Sequence, residues 1–257
     1  MRQILKSILQ YFKDSKEKHS ETQNDWDEKI INFTESINYK FQNISLLKAA
    51  LTHSSFIKRT VNVSAISPFE RMEFLGDSIL GLVVAERLFT DYPEKQEGHL
   101  SKMKSKLVSE KFLYLKAKKI ELGKYILMSD DEERSGGRER ASIVSDMMES
   151  LICALYLDGG YEASKNFICN FIMNNYKVDI QNDNLKNYKS ILQEYCQSKY
   201  QKPPDYETIS EEGPEHLKKF RVIVLINKVK HQTGVGRTKK AAQQEAAKNT
   251  LKELNIL

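Results

Sequence analysis

The sequence contains little cysteine and no long hydrophobic stretch. Its three cysteines, Cys153, Cys169 and Cys196, are an odd number at wide spacings without a C-x-x-C pair, so neither a disulfide framework nor a zinc site is predicted. No apolar run reaches the roughly 18 residues that a membrane-spanning helix needs. Reduced thiols fit a reducing compartment. We therefore expect a cytoplasmic protein that does not act at a membrane.

Internal repeats and low-complexity tracts are also absent from the 257 residues. An apolar content of 40% with 29% charged residues is typical of a globular protein with one large or two ordinary domains. Residues 1–13 place apolar side chains at helical spacing, interrupted by Lys6, Gln10 and Lys13, which predicts a short amphipathic helix rather than a signal peptide. Residues 14–29 are polar and of mixed charge, and we expect a linker there.

The chain from residue 30 to 178 is predicted to form an all-helical domain, because helical periodicity recurs along it and strand-like alternation is nearly absent. A polar, Asn-rich stretch at residues 179–187 lacks periodicity and is expected to be an interdomain linker. The predicted helices of the domain span residues 44–51, 69–89, 100–119, 143–157 and 162–176.

Residues 188–257 follow a different pattern, which predicts a small α+β domain of order αβββα with both helices on one face of the sheet. The fold class is therefore mainly α, with this small domain following the helical one. The predicted helices are residues 188–200 and 238–254, and the predicted strands are residues 205–210, 219–226 and 228–233.

The net positive charge of the chain lies in its last quarter. Residues 185–257 hold 14 Lys and Arg against 8 Asp and Glu, whereas the other 184 residues hold 26 against 27. A basic module behind a near-neutral one indicates a partner that is an anion, and nucleic acid is the obvious one.

Three carboxylates interrupt an apolar segment that begins at Phe69 with the letters FERMEFLGDS. Glu70, Glu73 and Asp77 are spaced i, i+3 and i+7, which places them on one face of a helix. A helix that is apolar nearly all round is buried, and buried carboxylates need a compensating cation. The alternative is that these acids sit at the positive end of the helix dipole and face water.

A second acidic pair, Asp146 and Glu149, lies in the apolar segment SIVSDMMESLICALYLD, which starts at Ser142. Alone this pair is weak evidence, because such spacing is common on solvated helix faces. If the two acidic helices pack together, their carboxylates can converge into an all-oxygen site, which is the ligand set that suits Mg²⁺ or Mn²⁺.

Both acidic segments resemble the signature motifs of the ribonuclease III family, whose usual first motif differs mainly by Leu at the place of Met72. The resemblance implies that Asp77 and Glu149 are the most central to catalysis, and that Glu70 and Glu97 are further acids near the scissile strand. The metal-binding carboxylates that it implies are Glu73, Asp77, Asp146 and Glu149.

The same resemblance extends to other parts of the helical domain. Residues 130–140 resemble the family's SGG loop, which we expect to move or to order on binding, and Ala141 stands where many relatives carry an acid. Phe74 resembles a residue that inserts into a partner subunit, and the alternative is that it is buried in its own core. Four lysines around the helix after residue 98 form either a solvated face or an RNA contact: Lys102, Lys104, Lys106 and Lys111.

The segment GVGRTKKAAQQEAAK, starting at Gly234, resembles the C-terminal signature of the double-stranded RNA-binding domain, with Thr238 in place of the commoner Ser. A capping Thr238 and the adjacent Lys239 and Lys240 would hold phosphates at the helix N-terminus. By the same resemblance, Gln193 and Glu194 reach 2′-hydroxyls and base edges, and His216 lies in a loop that enters a minor groove.

Together these resemblances imply a Mg²⁺-dependent endonuclease that cuts double-stranded RNA to 5′-phosphate and 3′-hydroxyl ends. A homodimer is implied as the working form, ribosomal RNA precursors and structured messages as substrates, Mn²⁺ as a substitute ion, and no small-molecule cofactor. Two alternatives stay open at this point. One is a double-stranded RNA-binding protein with an inert nuclease-like domain, and the other is a helical scaffold whose acids are solvated.

Overall fold

The computed structural model describes residues 20–60, 68–180, 187–214 and 218–257. It divides the chain into two compact units, residues 1–185 and residues 186–257. The predicted amphipathic helix within residues 1–13 and the predicted RNA-binding residue His216 lie outside the described residues.

The described part of the first unit is helical, which confirms the predicted fold class. Two short 3₁₀ turns, Leu122–Tyr125 and Gly137–Glu139, and a π-helical turn, Ile168–Ile172, connect its α-helices. These helices are α1 (Ser20–Ser36), α2 (Ile44–Ala50), α3 (Ser54–Thr60), α4 (Pro68–Asp91), α5 (Glu97–Leu107), α6 (Glu110–Lys119), α7 (Asp130–Arg134), α8 (Ala141–Phe167) and α9 (Tyr176–Asp179).

The core of the first unit is built around α4 and α8, the two helices that carry the predicted acidic motifs. Leu80 and Val84 of α4 and Leu151 and Leu155 of α8 are fully buried. Both helices are apolar on several faces, as expected for elements surrounded by other helices. Their burial carries the polar side chains of the two motifs into contact with the interior.

The linker predicted across residues 14–29 is wrong from residue 20 onward, because α1 begins at Ser20. Trp26, Ile30 and Phe33 recur at intervals of three and four residues and are buried in the core. The indole Nε1 of Trp26 also donates a hydrogen bond of 2.9 Å to the carbonyl oxygen of Tyr125. A single large aromatic residue therefore fixes a helical turn whose sequence is mostly polar.

One predicted helix is divided in the structure, and one predicted helix break is present. The helix expected over residues 100–119 is divided into α5 and α6, because the Ser109 side chain caps α6 by accepting a hydrogen bond from the Phe112 amide. The break expected between residues 157 and 162 is present at Gly160, whose φ of 74° and ψ of −167° are not helical and kink α8. A positive φ of this kind is accessible to glycine without steric strain.

The second unit has the predicted αβββα order: α10 (Tyr188–Tyr200), β1 (Asp205–Glu212), β2 (Lys219–Ile226), β3 (Val229–Gly236) and α11 (Lys239–Glu253). Its antiparallel sheet has the order β1-β2-β3. Leu192, Val224 and Ala246 bring α10, β2 and α11 into one core. A Cβ atom on Gly234 would overlap the backbone of α11, so this glycine permits close packing of helix and sheet.

None of the helices in the described ranges is both long enough and apolar enough to cross a membrane.

Candidate functional site

The acidic motifs meet where α4 and α8 cross at backbone contact. A Cβ atom built on Gly76 would overlap the carbonyl oxygen of Glu149. Because Gly76 has no side chain, the backbone of α8 can lie directly against α4, one residue away from Asp77 and three residues away from Glu73. Helical periodicity alone predicts no role for this glycine. Its position between two carboxylates in an apolar helix was the available signal.

Three predicted ligands converge at this crossing. Within the described ranges, Glu73, Asp146 and Glu149 each offer a carboxylate oxygen, and these atoms lie within 4.8 Å of one another. All three side chains are partly buried. An all-oxygen set of this kind suits hard divalent cations such as Mg²⁺ and Mn²⁺. The donors therefore fit a divalent metal, and we call the three residues the acidic cluster.

Burial and mutual repulsion raise the pKa values of the cluster. The pKa of Glu149 is raised to about 8, first by burial and then by the charges of Asp77, Asp146 and Glu73. Burial likewise raises the pKa of Glu73, with further contributions from Asp146, Glu70 and Asp77. A carboxyl group with a pKa near 8 is largely protonated at neutral pH. A bound cation would favour its charged form.

Asp146 has one further acidic neighbour that the sequence did not indicate. Burial raises the pKa of Asp146, the Ser145 hydroxyl opposes that shift, and the charge of Glu110 adds to it. Glu110 is the first residue of α6 and directly follows the cap at Ser109. The helix dipole accounts for an acid at this position, so its proximity to Asp146 becomes evident only in three dimensions.

The remaining predicted acids lie around or beyond the cluster. Asp77 is exposed, and it lies close enough to Glu149 to raise that residue's pKa. Glu70 is exposed in the first turn of α4 and contributes to the raised pKa of Glu73. Glu97 is exposed in the first turn of α5, where its carboxylate accepts a 2.6 Å hydrogen bond from Ser101. The structure thus brings Glu70 and Asp77 to the cluster's edge but leaves Glu97 on its own helix.

The raised pKa of Glu149 leads to a pH-dependent stability. Between pH 4.5 and about 8 the folded chain holds a proton at Glu149 that the unfolded chain has lost. Without divalent ions, we therefore expect the free energy of unfolding contributed by this group to be highest below pH 4.5 and to fall as pH rises to about 8. Denaturant unfolding at several pH values would measure the decline. Glu149→Gln should flatten it, and an unchanged slope in that variant would contradict the assignment.

An exposed apolar stripe runs along the solvent side of α4. Phe74, Leu82 and Phe89 are 78%, 58% and 74% exposed, and their spacing places them on one face of the helix. The alternative that Phe74 is buried in its own core is therefore wrong. Several large apolar residues exposed on one helix face are unusual on a solvated surface and mark a contact region.

The segment that resembles the SGG loop is folded and is held by bonds within itself and to the turn that precedes it. Ser129 caps α7, and Arg138 donates hydrogen bonds to the carbonyl oxygens of Gly123 and Ile126 at 3.0 and 2.7 Å. Arg138 also pairs with Glu133 at 2.5 Å. This arrangement fixes the chain just before α8 begins, and the expected rearrangement on RNA binding stays a prediction.

A histidine near α3 and the four lysines around α5 lie outside the acidic cluster. His53 Nδ1 lies 2.9 Å from the Ser55 hydroxyl, which accepts a hydrogen bond from the Ser129 amide, so this pair joins α3 to the start of α7. Lys102 and Lys111 are exposed, whereas Lys104 and Lys106 are partly buried.

In the second unit the predicted RNA-binding residues lie on exposed helix surfaces. Thr238 caps α11 by accepting a 3.1 Å hydrogen bond from the Ala241 amide. Lys239 and Lys240 are exposed in the first turn of α11, and Gln193 and Glu194 are exposed on α10. The N-terminal end of α11 therefore combines the positive end of the helix dipole with two ammonium groups, an arrangement that favours anions.

A helical domain with clustered carboxylates, followed by an αβββα domain with a basic helix terminus, defines a nuclease joined to a double-stranded RNA-binding module. The family model described as Ribonuclease-III-like matches residues 43–176, and the Double-stranded RNA binding motif matches residues 188–254. The chain belongs to the ribonuclease III family.

Curated relatives agree over nearly their whole length. Ribonuclease 3 of Campylobacter fetus subsp. fetus is 40% identical over 230 residues, which is 89% of this chain and all of the relative. Ribonuclease 3 of Nitratiruptor sp. is 42% identical over 224 residues, or 86% and 95% of the two chains.

A solved structure gives the same result for the first unit. The nuclease domain of ribonuclease III from Campylobacter jejuni is 41% identical, covers 56% of this chain and 92% of its own, and has a TM-score of 0.51. The resemblance stated from the sequence is confirmed, and the chain is an endoribonuclease that acts on double-stranded RNA. Neither the inert RNA-binding protein nor the scaffold accounts for these matches.

Proposed function

We propose that Glu73, Asp77, Asp146 and Glu149 hold Mg²⁺, for which Mn²⁺ can substitute, and that the enzyme leaves 5′-phosphate and 3′-hydroxyl ends. The observation that carries this proposal is the approach of three carboxylate oxygens to within 4.8 Å. When bound, a divalent ion would supply charge neutralisation for the phosphoryl oxygens and activation of the attacking water.

The proposed role of each acid follows from its position relative to the contact between α4 and α8. Glu149 and Asp77 are the residues most central to catalysis. The deeper of the two is Glu149, whereas Asp77 is exposed and accessible to a strand approaching from solvent. Glu70 and Glu97 act as helpers nearer to the RNA. A side-chain nucleophile is not required, because a water molecule can serve as the attacking group.

The second unit would hold the duplex through its shape and charge. Thr238 fixes the N-terminus of α11, and Lys239 and Lys240 contact phosphates there. Gln193 and Glu194 reach into a minor groove, and His216 enters the next one. Domains of this fold span about 16 base pairs of A-form RNA and read its geometry rather than its sequence.

We also infer that the enzyme is a homodimer formed through the apolar stripe of Phe74, Leu82 and Phe89. The stripe is exposed in the isolated chain, and a self-complementary interface between two copies would cover it. A further solved nuclease domain of ribonuclease III from Campylobacter jejuni, 41% identical with a TM-score of 0.50, is described as structurally flexible in the region involved in dimer formation.

We place the enzyme in the cytoplasm, where ribosomal RNA precursors and structured messages would be its substrates. The free thiols of Cys153, Cys169 and Cys196 fit a reducing compartment.

Cleavage of a long RNA duplex by the full chain, with and without Mg²⁺, tests the proposed chemistry. We expect fragments in Mg²⁺ or Mn²⁺ and none in EDTA, because the acidic cluster is repulsive without a cation. End analysis of the fragments should find 5′-phosphate and 3′-hydroxyl groups. Cleavage in EDTA, or fragments that end in 3′-phosphate, would reject the proposal, and a single-stranded RNA of the same composition serves as the control substrate.

A further inference from the structure

A carboxylate from β1 lies at the basic N-terminal end of α11. One carboxylate oxygen of Glu211, near the end of β1, lies 2.7 Å from the Lys239 ammonium, and the other lies 2.9 Å from the Lys218 ammonium. Lys218 directly precedes β2, whereas Lys239 is the first residue of α11. A single carboxylate therefore joins two cations from different elements at the helix end where phosphates are expected.

An aromatic ring completes this group. Phe220 is the partner of Glu211 in the register between β1 and β2. The ammonium groups of Lys218 and Lys239 lie over its ring, at 5.5 and 5.6 Å from the centroid. Cations are attracted to an aromatic face, so the ring and the carboxylate together hold both lysines on one spot of the surface. We call Glu211, Lys218, Phe220 and Lys239 the Glu211 group.

We propose that Glu211 is an internal substitute for an RNA phosphate, which competes for Lys239 and Lys218 and thereby lowers the affinity of the domain for duplex RNA. The proposal rests on the RNA-binding role proposed above for Lys239. A carboxylate outside both acidic motifs would thus determine how tightly the domain binds the substrate and the product.

The energetics of exposed ion pairs support competition. The Glu211 side chain is 33% exposed, and pairs of this kind contribute little to stability, so phosphates can displace the carboxylate readily. Both lysines lower the pKa of Glu211, which keeps it charged at neutral pH. A carboxylate that stays beside the bound phosphate repels it.

Counterions provide a second measure of the same effect. Cations that bind RNA release the ions condensed around the phosphates, and each neutralised phosphate steepens the salt dependence of the affinity. A lysine whose charge is already compensated by Glu211 neutralises a phosphate less completely. Removing the carboxylate should therefore change the salt dependence as well as the affinity.

The matched variants are Glu211→Gln and Glu212→Gln in the full chain. Both remove one negative charge from neighbouring positions of β1, but the Glu212 carboxylate accepts its hydrogen bond from the Ser210 hydroxyl at 2.8 Å. Binding to a blunt RNA duplex would be measured in EDTA, which prevents cleavage, over a range of salt concentrations. Thermal unfolding of each variant checks that the fold is unchanged.

We expect Glu211→Gln to bind the duplex about three- to tenfold more tightly at low salt, and to steepen the slope of log affinity against log salt by about one. Glu212→Gln should produce less than half of either change. In a Glu211→Gln/Lys239→Met double variant most of the gain should disappear, because the lysine for which Glu211 and the phosphate compete is then missing.

Equal gains in affinity in the two single variants would overturn the inference, since they would show that only the overall charge of the domain matters. Weaker binding by Glu211→Gln would overturn it too, because the carboxylate would then be positioning the lysines for RNA. If the unmodified chain failed to bind duplex RNA, both the proposed binding function and this inference would be rejected.

Discussion

Replacing Glu149 with Gln should lower the rate of duplex RNA cleavage by about a hundred- to a thousandfold, which is typical for the loss of one charged group at a polar catalytic site. Gln has the same shape but cannot give a negative charge to a divalent cation. The acidic cluster would then keep only two of its three carboxylates. Cleavage of an end-labelled duplex under single-turnover conditions measures the change, with duplex binding in EDTA measured in parallel.

The control for this substitution is Glu162→Gln, an exposed carboxylate farther along the same helix, which should cleave at the normal rate. A second signature distinguishes loss of the ligand from damage to the fold. Because Glu149 is held at a raised pKa, the metal-free Gln variant should be more stable than the unmodified chain at pH 8. Undiminished cleavage by Glu149→Gln would remove this residue from the site.

Gly76→Ala is the substitution we expect to affect both stability and activity. The new methyl group would overlap the Glu149 carbonyl, and the two central helices would have to move apart. Overpacking of a well-filled core typically lowers the free energy of unfolding by about 1–3 kcal/mol. Separation of the helices would also separate Glu73 from Glu149, so cleavage should decline with stability. Thermal unfolding and the duplex cleavage assay measure the two effects.

Gly81→Ala provides a matched control on the same helix. There the added methyl group would meet only the flexible end of Lys104, at 3.4 Å. Alanine favours a helix over glycine by about 1 kcal/mol, so this variant should be as stable as the unmodified chain or slightly more so. Gly76→Ala with normal stability and normal cleavage would show that the two helices tolerate separation.

Helical periodicity predicted most helices of the nuclease domain, and the spacing of its acids predicted which carboxylates share a helix face. The spacing placed Glu70, Glu73 and Asp77 on one helix face and Asp146 and Glu149 on another. The structure brings Glu73, Asp146 and Glu149 together. Spacing could not show that Gly76 sets the distance between the helices, because that distance depends on contacts between residues far apart in the chain. The catalytic roles of the acids stay predictions.

The errors share a physical cause. The helix from Ser20 to Ser36 was missed because Trp26 anchors a segment that is otherwise polar, and local composition does not report a tertiary contact. Likewise, periodicity shows that Phe74 belongs to a helix with several apolar faces, but not which of these faces its neighbours cover. Glu110 joins the neighbourhood of Asp146 only through the packing of α6.

Direct backbone contact at Gly76 has a consequence for how the acidic cluster responds to its cation. Repulsion among Glu73, Asp146 and Glu149 could be relieved if the helices separated, but the buried core of α4 and α8 opposes that movement. Part of the free energy gained by apolar burial thus holds the carboxylates close together, and at neutral pH the metal-free cluster relieves their repulsion by keeping a proton on Glu149. A divalent ion that bound the cluster would displace this proton, and the uptake of metal would release acid without any need to reshape the protein.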